Sequence, residues 1–168
     1  MKSRRPANSD VRRYEASSQN DKHMIINYDQ VLINGDEEVL WRYSANTDHC
    51  IVVDWREEDD AIVKYVADKL GGDELSAHFT DEGLEVIYRG IAHKLPLTFS
   101  LKDRYITLRG LNEILKDKYE IRVFNNSFGS DTHSFYVKPK VWWEYMENHF
   151  PERMQDVFSA IGPDMDFH

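Results

Sequence analysis

Asp131 and His133, two residues apart in the polar run from Asn125 to His133, pair a carboxylate with an imidazole, and such a pair can orient a base or help to hold a metal. A metal centre needs three or four ligands, and no companion His, Cys or Asp stands at ligand spacing. The commoner role for Ser130 and Asp131 is to cap a turn through side-chain to backbone bonds, with His133 opening a strand. His49 beside Cys50 could activate a thiol nucleophile, but a cysteine entering the β-branched run Ile51-Val52-Val53 more often packs as a small buried hydrophobe. His78 and His93 fall on adjacent predicted strands, where two imidazoles could share a metal; His78 alternates away from Phe79, and surface or edge histidines are the simpler account.

Charge is densest at Asp54, Glu57, Glu58, Asp59 and Asp60. Carboxylates at a helix start complement the positive end of its dipole, which accounts for part of this cluster. The rest is either a solvated helix start or a docking face for lysine and arginine of a partner, since matched charge speeds association and suppresses wrong partners. A divalent cation is a third option, weakened because no loop has the alternating Asp/Asn spacing of a calcium hand. The loop Asn125 to His133, with Asn126, Ser127, Asp131 and His133, is the longest polar connection inside the fold and the second candidate contact surface. Trp143 is the third: helical spacing turns Trp142 inward and sets its neighbour about 100° around the helix, where a part-exposed indole can anchor an interface.

Several classes are excluded. No Gly-rich phosphate cradle, His-Glu-x-x-His or Gly-x-Ser-x-Gly is present, so no catalytic residue, metal ligand or cofactor is assigned. Cys50 is the only cysteine, which rules out an internal disulfide and points to a reducing compartment. Residues 1–22 carry six Lys/Arg against three Asp/Glu, leaving 15 against 27 in residues 23–168. Such an acidic body repels nucleic acid and anionic lipid, while it raises the encounter rate with a basic partner. There is no apolar leader segment and no run approaching a membrane span, so the expected location is cytoplasmic.

The elements that must position these residues follow from periodicity. Residues 1–22 are polar and aperiodic and read as a flexible basic arm; residues 23–168 read as a single acidic domain. Residues 24–33 and 37–43 read as two strands joined at Asn34-Gly35, a pair that tolerates positive φ in a tight turn. Cys50 to Trp55 suits a buried strand, and Glu57 to Leu70 a helix with Ile62, Val66 and Leu70 inward, stopped by Gly71-Gly72. Leu75 to Phe79 and Leu84 to Arg89 form a hairpin, followed by an edge strand through Ile91, His93 and Leu95 that Pro96 curtails. Asp103 to Lys118 is a helix, and Tyr119 to Phe124 pairs with His133 to Val137 as a second hairpin. Pro139 opens a helix with Trp142, Tyr145, Met146 and His149 inward; Pro151 opens the last one, with Met154, Val157, Phe158 and Ile161 inward and Gly162 as its stop. Hairpins interleaved with single helices imply an α+β fold, an antiparallel or mixed sheet with helices packed on one face.

The passage KDKYEIRVFNNSFGSDTHSFYV (residues 116–137), followed by the Trp-rich helix VWWEYMENHF (residues 141–150), resembles small immunity proteins of bacterial contact-dependent growth inhibition and other polymorphic toxin systems. The resemblance spans Ile106 to Ile161, about a third of the chain. It implies a cytoplasmic protein that binds a delivered toxin domain, often a basic nuclease, and occludes its active site; no residue roles carry over. The expected function is therefore stoichiometric inhibition of a cognate, basic toxin protein, with no nucleic-acid or membrane partner. The alternatives are an enzyme with a metal-assisted site using Asp131, His133, His78 or His93, and a non-enzymatic assembly subunit.

Overall fold

A computed structural model describes residues 30–167. The basic arm and the first part of the expected N-terminal strand lie outside the described residues.

The described chain opens in helical residues 30–34, and α1 follows over Glu37–Ser44. The hairpin expected here is thus replaced by two helical segments, for reasons that lie in the junction. The Asp36 carboxylate accepts a hydrogen bond from the Val39 amide at 2.9 Å, Glu37 and Glu38 fill the first turn, and Arg42 pairs with Glu38 one turn on. Gly35 donates its amide to the Val31 carbonyl, and a Cβ there would stand 2.4 Å from that same oxygen. Asn34-Gly35-Asp36 is therefore a helix stop followed by a helix cap. Val39 and Trp41 face solvent and Tyr43 is buried, a pattern that strand alternation of these three residues would not produce.

The remaining elements follow the expected order: β1 (Ile51–Asp54), α2 (Asp59–Ala67), β2 (Leu75–Thr80), β3 (Gly83–Tyr88), β4 (Ile91–Pro96), α3 (Asp103–Leu115), β5 (Tyr119–Phe124), a 3-10 turn (Asn125–Ser127), β6 (Thr132–Pro139), α4 (Lys140–His149), α5 (Pro151–Val157) and β7 (Phe158–Ala160). The fold is α+β. Two antiparallel sheets form, one ordered β1-β6-β5-β7 and the other β2-β3-β4. β4 takes the edge position that Pro96 requires. Gly83 closes the β2–β3 turn at φ +150°, and a Cβ on it would lie 2.3 Å from the Leu95 carbonyl oxygen, so glycine sets how closely β4 approaches.

Helices cover both faces of the four-stranded sheet, where one covered face was expected. Alternation along β6 explains it: Phe135 and Val137 join a core with Ile62, Val63 and Val66 of α2 and Leu108, Leu111 and Leu115 of α3, whereas Tyr136 joins the opposite core with Tyr43, Trp142, Trp143 and Met146. Leu75, Leu84 and Val86 of the three-stranded sheet share the first core, so α2 and α3 are covered by strands of both sheets. The last helix is shorter than its periodicity suggested. It ends at Val157, and Phe158–Ala160 runs on as β7 against β5, Phe158 turning into the same core as Met154 and Val157. On α4 the inner stripe is Trp142, Trp143 and Met146, while Tyr145 and His149 stack on one another at the surface.

Candidate protein-binding surface

The end of β1 and the start of β6 bring the two candidate contact segments together. Asp54 pairs with Thr132 in the ladder, and one step on the Trp55 amide donates to the Asp131 carbonyl at 3.2 Å. The acidic segment after β1 and the loop before β6 therefore form one continuous edge.

Along that edge the carboxylates divide by role. The Asp54 carboxylate accepts from the Arg56 amide, Nε and Nη2 at 2.9, 3.0 and 3.1 Å, and these bonds hold its pKa below the usual carboxylate range. Glu57 accepts from the Tyr65 hydroxyl at 3.0 Å; Glu58 points into solvent and Asp60 is half-buried. Asp59 turns inward and is 2% exposed. Its carboxylate accepts from Arg104 Nε at 3.2 Å, Arg104 Nη2 at 2.5 Å and the Thr107 hydroxyl at 2.6 Å. Burial raises the Asp59 pKa against the opposing pull of Thr107 and Arg104. This carboxylate ties the start of α2 to the start of α3 and leaves the contact face.

The loop divides likewise. Asn126 and Asp131 are exposed, and Phe128 projects between them beside the positive-φ Gly129. Ser127 is buried: its hydroxyl donates to the Phe124 carbonyl at 2.8 Å and accepts from the Ser134 amide at 3.0 Å, stapling the loop to its own strand. His133 is 1% exposed, its Nδ1 sharing a 2.7 Å hydrogen bond with the Tyr105 hydroxyl and its ring stacked on Phe167 at 4.3 Å. Its Nε2 is buried with no partner at good hydrogen-bond geometry among the described residues, the Ser130 backbone lying nearby. Burial pulls the His133 pKa down, against weaker upward pulls from the Ser130 backbone and Asp166. Trp143, expected to be part-exposed, is 1% exposed: Nε1 donates to the Glu120 carbonyl at 3.0 Å, and the Arg122 guanidinium covers its ring at 4.4 Å. Asp59, Ser127, His133 and Trp143 are thus packing residues, corrected from the contact surface on which sequence spacing put them.

Comparison with known proteins finds no match. That holds for protein-family models, for curated proteins and for solved structures alike. The geometry therefore carries the functional argument alone.

The side chains considered for catalysis are dispersed. Cys50 is buried with its pKa raised to about 12 by desolvation, and its thiol points at the Tyr43 carbonyl at 3.4 Å. His78 sits opposite Glu85 and His93 opposite Val86, neighbouring register positions whose side chains leave the sheet on opposite faces. Among the described residues no three His, Cys, Asp or Glu side chains gather as a metal-holding group, and no helix is long and apolar enough to cross a membrane.

Sequence spacing missed an apolar companion to the acidic edge. Beside Glu58 and Asp59 runs a groove lined by Phe79, Leu97, Phe99, Leu101 and Arg104. Phe99 is 65% exposed and holds φ at +54°, a left-handed conformation that costs a non-glycine residue roughly 1–2 kcal/mol. The buried Asp103 enforces it, accepting from the Thr98 amide at 2.9 Å, the Thr98 hydroxyl at 2.6 Å and the Ser100 amide at 3.3 Å. The legible signal was Thr98 and Ser100 ahead of Asp103, side chains suited to a braced turn that strands Phe99 and Leu101 outside both β4 and α3.

Proposed function

We propose that this chain is a stoichiometric protein inhibitor of the immunity type, which binds a basic toxin domain, probed first as a nuclease, in the cytoplasm. The observation that carries the reading is the meeting of the acidic segment with the polar loop, Asp54 beside Thr132 and Trp55 beside Asp131, on one edge of a four-stranded sheet. Asp54, Glu57, Glu58, Asp60, Asn126 and Asp131 keep solvent access on that edge, five carboxylates and one amide beside the exposed guanidinium of Arg56, which is paired to Asp54. A surface of this sign accelerates encounter with lysine- and arginine-rich proteins and disfavours nucleic acid and anionic lipid. The excess of 27 Asp/Glu over 15 Lys/Arg in residues 23–168 supports the same partner class.

The test is a tagged pull-down in which the chain meets the product of the adjacent upstream gene. A one-to-one complex that silences a nuclease or other toxic activity is the expected result. Absence of any complex, together with a tightly bound metal or turnover of a small substrate, would replace the reading with an enzymatic one; a stable homo-oligomer without a partner would replace it with an assembly role.

A further inference from the structure

We propose that Phe99, flanked by Phe79 and Leu101, is the apolar anchor of the partner interface, and that its occupant is a segment of a basic protein carrying apolar side chains between lysines or arginines. This rests on the inhibitor reading above and adds to it the half of the surface that charge alone does not describe.

Three observations converge. Phe79, Phe99 and Leu101 are large exposed hydrophobics gathered at one groove, whereas exposed apolar side chains scattered singly need no explanation. The turn that presents Phe99 is held in a disfavoured conformation by a buried aspartate with three hydrogen bonds, so the backbone carrying the ring is braced before any partner arrives and less ordering entropy remains to be lost on binding. Glu58 is the exposed carboxylate that lines the groove, and next in sequence to lining residues stand Asp60 on α2 and Asp81 and Glu82 in the turn after Phe79, with Lys102 as an exposed cation beside Leu101. Arg104, the other cation at the groove, is already paired to Asp59. An aromatic anchor inside a polar rim is the usual anatomy of a protein interface, and an acidic rim selects a basic occupant. A second copy of this chain would bring the same acidic rim to the groove and be repelled by it.

Fluorescence anisotropy with two labelled synthetic peptides tests the idea on the full chain: one alternates lysine and leucine, and the other, of equal length and charge, alternates lysine and serine. The lysine-leucine peptide is expected to bind at least about tenfold more tightly, and Phe99→Asn, which tolerates the left-handed backbone, to remove about that factor while leaving the lysine-serine peptide unchanged. Equal binding of the two peptides, or a lysine-leucine affinity that Phe99→Asn and Phe99→Ala leave within about twofold on folded protein, overturns the anchor. The doubly reversed variant Glu58→Lys/Asp60→Lys separates the two readings. Loss of both peptides supports the acidic face, whereas an unchanged affinity for both, with Phe99→Asn still effective, sinks the acidic reading and leaves the anchor standing. Dimerisation in sedimentation that Phe99→Asn abolishes would make a second copy the occupant and overturn the proposal.

Discussion

Replacing Asp59 with alanine should weaken the fold itself rather than act first on any partner. The carboxylate is buried and satisfies three donors, two from Arg104 and one from the fully buried Thr107 hydroxyl. Its removal leaves the Arg104 guanidinium, whose side chain is 13% exposed, without its ion-pair partner. Removing one member of a buried pair costs roughly 3–5 kcal/mol, and the orphaned hydroxyl adds about 1 kcal/mol. The residual exposure of Arg104 lets water recover part of this, so a loss of about 3–4 kcal/mol is expected for Asp59→Ala. With a urea dependence of roughly 2 kcal/mol per molar, the unfolding midpoint should fall by about 2 M. Equilibrium urea denaturation followed by tryptophan fluorescence measures this directly. A double-mutant cycle with Arg104→Ala should return a coupling of about 2–3 kcal/mol, because the second substitution removes the charge that the first one stranded. A loss below about 1 kcal/mol with no coupling to Arg104 would refute the buried-pair account. If such a variant also lost its partner, Asp59 would belong on the contact face after all.

Acid should weaken the fold through His133. Its folded pKa lies below the ordinary 6.5, so the unfolded chain takes up this proton first. Its contribution is flat above about 6.5 and is lost as pH falls from there toward the lowered folded value, with a slope of at most about 1.4 kcal/mol per pH unit. His49 is also lowered, chiefly by burial, and titrates in the same direction. Urea midpoints taken across that range should therefore flatten in His133→Phe without becoming level; an unchanged slope would show that His133 is not the group responsible. Gly83→Ala should destabilise by at least about 1–3 kcal/mol in thermal melts, since φ +150° and the Leu95 carbonyl at 2.3 Å leave no room for a methyl, and a neutral result would argue against this β3–β4 register. Charge reversal at Glu57, Glu58 and Asp60 together should slow association with the toxin partner and flatten its salt dependence in surface plasmon resonance while leaving the melting temperature within a few degrees; unchanged kinetics would remove this edge from the interface.

How far the sequence could be read depended on whether a signal was local. The helix at Asp59–Ala67 and the hairpins at Leu75–Tyr88 and Tyr119–Pro139 were legible because period and stop signals agreed over the whole segment. The N-terminal hairpin failed because Asn34-Gly35 favours a tight turn and also ends a helix, and Asp36 with two glutamates after it was the better guide. β7 was hidden because Phe158 faces the same core whether the chain is helical or extended, and only pairing with Val123 and Arg122, some 35 residues away, decides between them. Burial of single polar side chains was the least legible property. Helical spacing sets Asp59 on the stripe of Ile62, Val63 and Val66, but an inward carboxylate makes sense only once Arg104 and Thr107 arrive from a helix about 45 residues later.

That hidden distinction changes what kind of surface this is. Taken at face value, the acidic run reads as a uniform patch whose binding would be mostly electrostatic and would fade with salt. In the folded chain Asp54 is engaged by Arg56, Glu57 by Tyr65 and Asp59 by Arg104, which leaves Glu58 and Asp60 as the carboxylates of the run without a side-chain partner among the described residues. Two such charges at a solvated surface contribute about 1 kcal/mol each at most, far short of a stable complex. An inhibitor that must hold its target therefore needs apolar contact as well, and exposed rings stand on either side of the run, Phe128 on the loop and Phe99 with Phe79 at the groove. Charge would then set the rate of encounter and the aromatic groups the lifetime, so that substitutions at Glu58 and Phe99 should separate cleanly into effects on association and on dissociation.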